Sequence, residues 1–134
     1  MVTFKSEYTG DLRTIAEHLS SGRKLITDAP LDNHGKGESF SPTDLVATAL
    51  GCCMATVMGI HGRKMNLEMD GLNWRTEKIM RSDPRRIDTI NISFQWPQPQ
   101  GDEQQRQRLK EIALSCPVAL SIHPEIAQNI KFEF

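Results

Sequence analysis

From Leu45 to Ile60 the chain reads LVATALGCCMATVMGI, its longest uncharged run. The run falls short of the ~20 apolar residues a membrane span needs. It also contains Thr48, Gly51 and Thr56, so the pattern predicts a buried central helix. Ser41 as N-cap, Pro42 at N1 and Asp44 at N3 give its start an S-x-x-D box, with Phe40 and Leu45 at the hydrophobic staple positions. His61-Gly62-Arg63-Lys64 supplies the glycine and cations that suit its end. A second, amphipathic helix is expected from Asp102 to Ser115, with Leu109, Ile112 and Ala113 on its apolar face. Pro117 follows closely, which makes Cys116 the cap of a short helix through PVALSI.

The remaining segments read as strands: Thr3 to Tyr8, Arg13 to His18, Lys24 to Thr27, Leu67 to Met80, Arg86 to Trp96 and Asn129 to Phe134. Arg81-Ser82-Asp83-Pro84 forms a hairpin turn, and Ile87, Ile90, Ile92 and Phe94 alternate only in part. Strands, a central helix, a hairpin, then helix and strand make an α+β protein, read as one domain over residues 1–134.

Composition narrows the function. The chain has 134 residues, 38% hydrophobic and 25% charged, within the globular range. Sixteen basic against 17 acidic residues leave a net charge of -1, so no field exists to hold nucleic acid. The N-terminal MVTFKSEYTGDLRT has no apolar stretch behind a basic start, so no secretory leader is expected, and no membrane partner. Three cysteines argue against a disulfide scaffold and for a reducing, cytoplasmic setting.

The cysteines are also the candidate chemistry. Cys53 shares an apolar helical stripe with Val46, Ala49, Leu50 and Val57, where a small buried side chain is the plain reading. Cys52, a quarter-turn away, reads as packing still more simply. Cys116 at a helix start meets free N–H groups that favour thiolate. Neighbouring helical cysteines cannot reach disulfide geometry, so a reversible disulfide joins Cys116 to one of the helical pair. Cys53, His61, Cys116 and His123 are zinc-ligand types, but their spacings match no short-spaced zinc motif. His18 and His34 read as surface residues, and GKGESF lacks the ending of a phosphate loop. A buried cysteine keeps its proton, so peroxide chemistry calls for a cation and a carboxylate to fix it. Arg13, Arg23, Glu38 and Asp44 are the candidates, although Asp44 already has a role in the capping box.

Taken together, GKGESFSPTDLVATALGCCMATVMGIHGRK and ALSCPVALSIHPEI are similar to the OsmC/Ohr family of small thiol-dependent hydroperoxide reductases, closest to its OsmC-like branch. The resemblance rests on a Ser-Pro helix start with cysteine eleven residues past the proline (53 − 42 = 11), and on Cys116-Pro117 sixty-three residues beyond that cysteine (116 − 53 = 63). It implies antiparallel sheets around a long central helix and an intertwined homodimer. It implies that Cys53 is oxidised by an organic hydroperoxide to sulfenic acid and that Cys116 resolves it to a disulfide, which a lipoyl-type dithiol reductant resets. No bound cofactor or metal is implied. The family's peroxidases carry glutamate directly after the helix-start proline. Here that position is Thr43, and Asp44 and Glu38 are the nearest acids. The family's arginine maps best to Arg13 in TGDLRT, with Arg23 second. Leu50, Met54 and Met58 are then expected to line an apolar substrate pocket. The competing readings are a binding module for an apolar small molecule or acyl chain, and a purely structural subunit.

Overall fold

Two three-stranded sheets and one long helix carry the architecture, in a computed structural model that describes residues 1 and 3–134. The α+β class is as expected. The chain divides into two compact units, Met1–Val46 and Ala47–Phe134.

The first unit is an antiparallel meander of β1 (Phe4–Gly10), β2 (Arg13–His18) and β3 (Arg23–Asp28). Asp11 and Leu12, both at positive φ (53° and 61°), make the tight turn between β1 and β2. Two positive φ values match the right-handed twist of a hairpin. Register places Arg13 opposite Asp28 at one end of the β2–β3 pair and His18 opposite Arg23 at the other. Among the described residues of this unit, only Thr27, Asp28 and Ser41 are buried, and all are polar. Phe4 and Tyr8 stay 64% and 63% exposed.

Helix α1 (Pro42–Lys64) starts where its signals place it. Ser41 Oγ accepts the Asp44 N–H at 3.1 Å and Asp44 Oδ2 accepts the Ser41 N–H at 2.8 Å, closing the capping box. Its end differs from expectation, because the helix runs through Gly62 and stops at Lys64, followed by Asn66 at φ 56°. Leu67 N–H then closes onto the Gly62 carbonyl at 2.8 Å. Gly62 serves packing instead of capping, since a Cβ there would meet the Leu67 carbonyl oxygen at 3.2 Å and Met69 Cγ at 3.3 Å. The helix is also buried along one stripe only, Ala47, Leu50, Gly51, Met54, Met58 and Gly62. Side chains 3.6 to the turn cannot all face one core. Val46 and Ile60 remain 38% and 52% exposed. By length and composition alone the helix could cross a membrane, and 33% of its apolar window is buried within the chain.

In the second unit β4 (Asn73–Arg81) and β5 (Arg86–Gln95) form an antiparallel hairpin. Helices α2 (Glu103–Leu114) and α3 (Pro117–Ser121) lie in the connection to β6 (Ala127–Glu133), which runs parallel to β5. Strand β4 starts later than the sequence suggests, because residues 67–72 turn, with Gly71 at φ 83° and Leu72 N–H on the Met69 carbonyl. The uneven alternation in β5 has a cause. Ile79 pairs with Thr89 but Met80 with Ile87, so Asp88 is an extra residue that flips the phase between Ile87 and Ile90. The core centres on Phe94, fully buried and 5.5 Å from the rings of both Trp74 and Phe132. Gly51 lets Trp74 approach α1, since a Cβ there would lie 2.5 Å from the indole nitrogen.

Candidate functional site

The second unit brings two of the three cysteines together. Cys53 projects from α1 with intermediate exposure, and Cys116 is buried at 1% exposure where it caps α3. The two side chains lie near enough for Cys53 to perturb the ionisation of Cys116. The Cys116 sulfur also accepts the Ala119 N–H at 3.4 Å, the capping contact expected of it. Burial nevertheless pushes the Cys116 thiol up from its ordinary range, and Cys53 pushes it the same way, against the Ala119 and Val118 amides. The thiolate suggested for Cys116 by its helix start is therefore corrected, because desolvation outweighs the N–H groups and it stays protonated at neutral pH. Cys52 is exposed on the outer side of α1, not buried packing, since its position falls off the stripe that faces the core.

Leu50, Met54 and Met58 do not line an open pocket. All three are fully buried, because they sit on the single stripe of α1 that builds the hydrophobic core of this unit. A depression of about 840 Å³ lies instead on the polar face of the sheet, among Arg75, Glu77, Asn91, Ser93, Asn129 and Lys131, and no cysteine lines it.

The first unit holds the arginine. Arg13 Nε and Nη2 bind Asp28 Oδ1 and Oδ2 at 2.6 and 2.8 Å, a bidentate fork, and Nη2 also reaches Glu38 Oε2 at 2.7 Å. Asp28 is 1% exposed and accepts the Glu38 N–H at 3.1 Å on Oδ2, so one carboxylate ties strand β2 to the segment before α1. The Arg13 hydrogen bonds hold the Asp28 carboxyl below the usual carboxylate range despite the opposing cost of its burial. The hydrogen bonds to Asp28 and then Glu38 raise Arg13 further above its ordinary value, so it is a permanent cation. Of the two acids proposed to fix the arginine, Glu38 does so. Asp44 spends Oδ2 on the helix cap, and it shares a shallow recess with Gly37, Glu38, Ser39 and Phe40. Arg23 stands at the opposite end of β3, five residues from Asp28 and roughly 17 Å along the strand, so it cannot join the same carboxylates.

Asp28 is the residue that sequence reasoning missed. The available signal was the hairpin register, which sets an aspartate at the end of β3 across from an arginine at the start of β2. Among the described residues, no group of three or more His, Cys, Asp or Glu side chains could hold a metal ion. His18 pairs with Ser21 Oγ at 2.7 Å and makes a tilted ring contact with Phe4, and His34 is exposed.

Residues 35–131 match the family model for OsmC-like proteins. A solved structure from Psychrobacter arcticus 273-4, named for osmotic stress induction and a detoxification response, is similar over 99% of this chain and 96% of that one. It shares 47% identity, with a TM-score of 0.93. The Legionella pneumophila organic hydroperoxide resistance protein OsmC shares the fold at a TM-score of 0.74 and 13% identity, over 100% of this chain and 97% of that one. The Bacillus subtilis organic hydroperoxide resistance protein OhrB does so at 0.66 and 13%, over 99% and 98%. No curated protein is significantly similar to the chain.

Proposed function

This chain belongs to the OsmC-like protein family, and from that premise we propose that it is a thiol-dependent peroxidase of organic hydroperoxides. The observation that carries the reading is the proximity of one partly exposed and one buried thiol, Cys53 and Cys116. The Cys53 thiolate attacks the distal oxygen of the hydroperoxide, forming Cys53 sulfenic acid and releasing the alcohol. The neighbouring Cys116 thiol attacks that sulfur, water leaves, and a Cys53–Cys116 disulfide forms. A dithiol of the lipoyl type then returns both cysteines to thiols and is itself oxidised to its cyclic disulfide.

Arg13 is the cation we assign to stabilising the Cys53 thiolate. Its support is the clamp of Asp28 and Glu38, which keeps the guanidinium charged and oriented. We further propose that the working form is a homodimer in a reducing cytoplasm. The exposed Phe4 and Tyr8, on a sheet whose buried residues among those described are all polar, support the association.

The test is the intact mass and thiol count of reduced protein before and after one equivalent of cumene hydroperoxide. Loss of two hydrogens and two thiols is expected in the wild type. Cys53→Ser should abolish it, and Cys116→Ser should divert it to sulfenic acid or overoxidation. Unchanged mass with slow, cysteine-independent peroxide decay overturns the reading and favours a non-catalytic binder of apolar molecules.

A further inference from the structure

The two thiols differ in a way that bears on the return half of the cycle. Thiol–disulfide exchange needs the incoming thiolate to approach one sulfur in line with the bond that breaks, so access to each sulfur counts alongside the acidity of the departing thiol. Cys116 is 1% exposed, enclosed by the core of its unit, and its sulfur accepts the Ala119 N–H at 3.4 Å. Cys53, by contrast, keeps part of its surface open on α1. We propose that the reductant attacks the sulfur of Cys53 and that Cys116 is the leaving thiol, so the covalent intermediate with the reductant forms on Cys53. The inference rests on the disulfide of the proposed peroxidase cycle.

The step balances as follows. One thiolate of the dithiol bonds to Cys53 sulfur as the Cys53–Cys116 bond breaks, and the electron pair leaves on Cys116, which takes up a proton. The second thiol of the reductant, deprotonated, then attacks the reductant's own sulfur in the mixed disulfide. The reductant closes to a cyclic disulfide, and Cys53 leaves as thiolate, ready for the next hydroperoxide. Two electrons pass from the dithiol to the two cysteine sulfurs.

Two effects on Cys116 oppose each other. Burial makes its thiol less acidic than an ordinary one, which slows its departure, while the Ala119 N–H already on its sulfur stabilises the charge that develops there. The closed approach to Cys116 decides between the two sulfurs, because an in-line path to it would have to open the packing around α3. Cys52 complicates any measurement, since it is exposed beside Cys53 and free to exchange.

The experiment therefore uses the Cys52→Ser protein, oxidised with diamide so that the disulfide forms without any peroxide. Brief treatment with glutathione, a monothiol that cannot complete the second step, is followed by acid quench, N-ethylmaleimide and peptide mass mapping. Glutathione on Cys53 with maleimide on Cys116 is expected, in about tenfold excess or more over the reverse pattern. Glutathione mainly on Cys116, comparable amounts on both, or failure of diamide to form the disulfide overturns the proposal. A disulfide that forms with diamide but not with cumene hydroperoxide, and that still yields the Cys53 adduct, overturns the peroxidase reading and leaves this one standing.

Discussion

Each of the two units of this chain is stabilised from within, and the two by opposite means. In Met1–Val46 every buried residue among those described is polar, and the Arg13–Asp28–Glu38 cluster links its strands to the segment before α1. In Ala47–Phe134 every buried residue is apolar or glycine, from Leu50 and Met54 on the helix to Phe94 on β5 and Trp96 just beyond it. Charge fixes direction: a bidentate fork admits one orientation of the guanidinium. Packing fixes distance, and it places a cysteine from one helix against a cysteine that caps another. A permanently charged arginine and a protonated buried thiol are therefore products of different physics.

The sharpest way to break this contrast is to open the core. Phe94→Ala should cost about 3–5 kcal/mol, seen as a lower urea midpoint, because it removes a fully buried ring flanked by two others. A loss within surface-mutation scatter would mean that the second unit is not organised around this ring. Gly51→Ala should cost about 1–3 kcal/mol by overpacking, since the new methyl falls on the Trp74 indole. A change in near-ultraviolet dichroism should accompany it, and an unchanged melt would show that Trp74 moves freely.

In the first unit the predictions concern pH and orientation. The folded-state acidity of Asp28 is strengthened, so its contribution to stability is present above the unfolded carboxyl value of about 3.9 and is lost as pH falls below it. Asp28→Asn should remove that acid-side slope and with it the slowly exchanging Arg13 Nε–H signal in nitrogen-15 NMR. Glu38→Gln should keep that signal, because Nε bonds Asp28 and only Nη2 is shared with Glu38. Equal losses in both variants would show that the two carboxylates act as one unit.

The smallest effect is alkaline. Cys116 releases its proton later in the folded chain than in the unfolded one. Its effect on stability is absent below the unfolded thiol value of about 8.5 and grows as a loss while pH rises above it. Cys116→Ala should flatten the decline of the urea midpoint over that range, and an unchanged slope would show that Cys116 does not meet the core as described.

Much of this could be read from residues alone, for local reasons. The Ser41–Asp44 box, the Cys116-Pro117 start of α3 and the strands of both hairpins follow from backbone hydrogen bonding and φ preferences within a few residues. The α+β class and the resemblance carried by the cysteine spacings were legible for the same reason. Three things needed the third dimension. Gly62 looked like a cap and proved to be a packing site, because what crowds its Cβ comes from Leu67 and Met69 after the chain has turned. Leu50, Met54 and Met58 looked like pocket lining and proved to be core, because only the tertiary arrangement says which stripe of an apolar helix turns inward. The partner of Arg13 turned out to be Asp28 as well as Glu38, because strand register, a relation between residues fifteen apart, sets that aspartate opposite it. Short-range chemistry is written along the chain, whereas burial and long-range pairing exist only once distant segments meet.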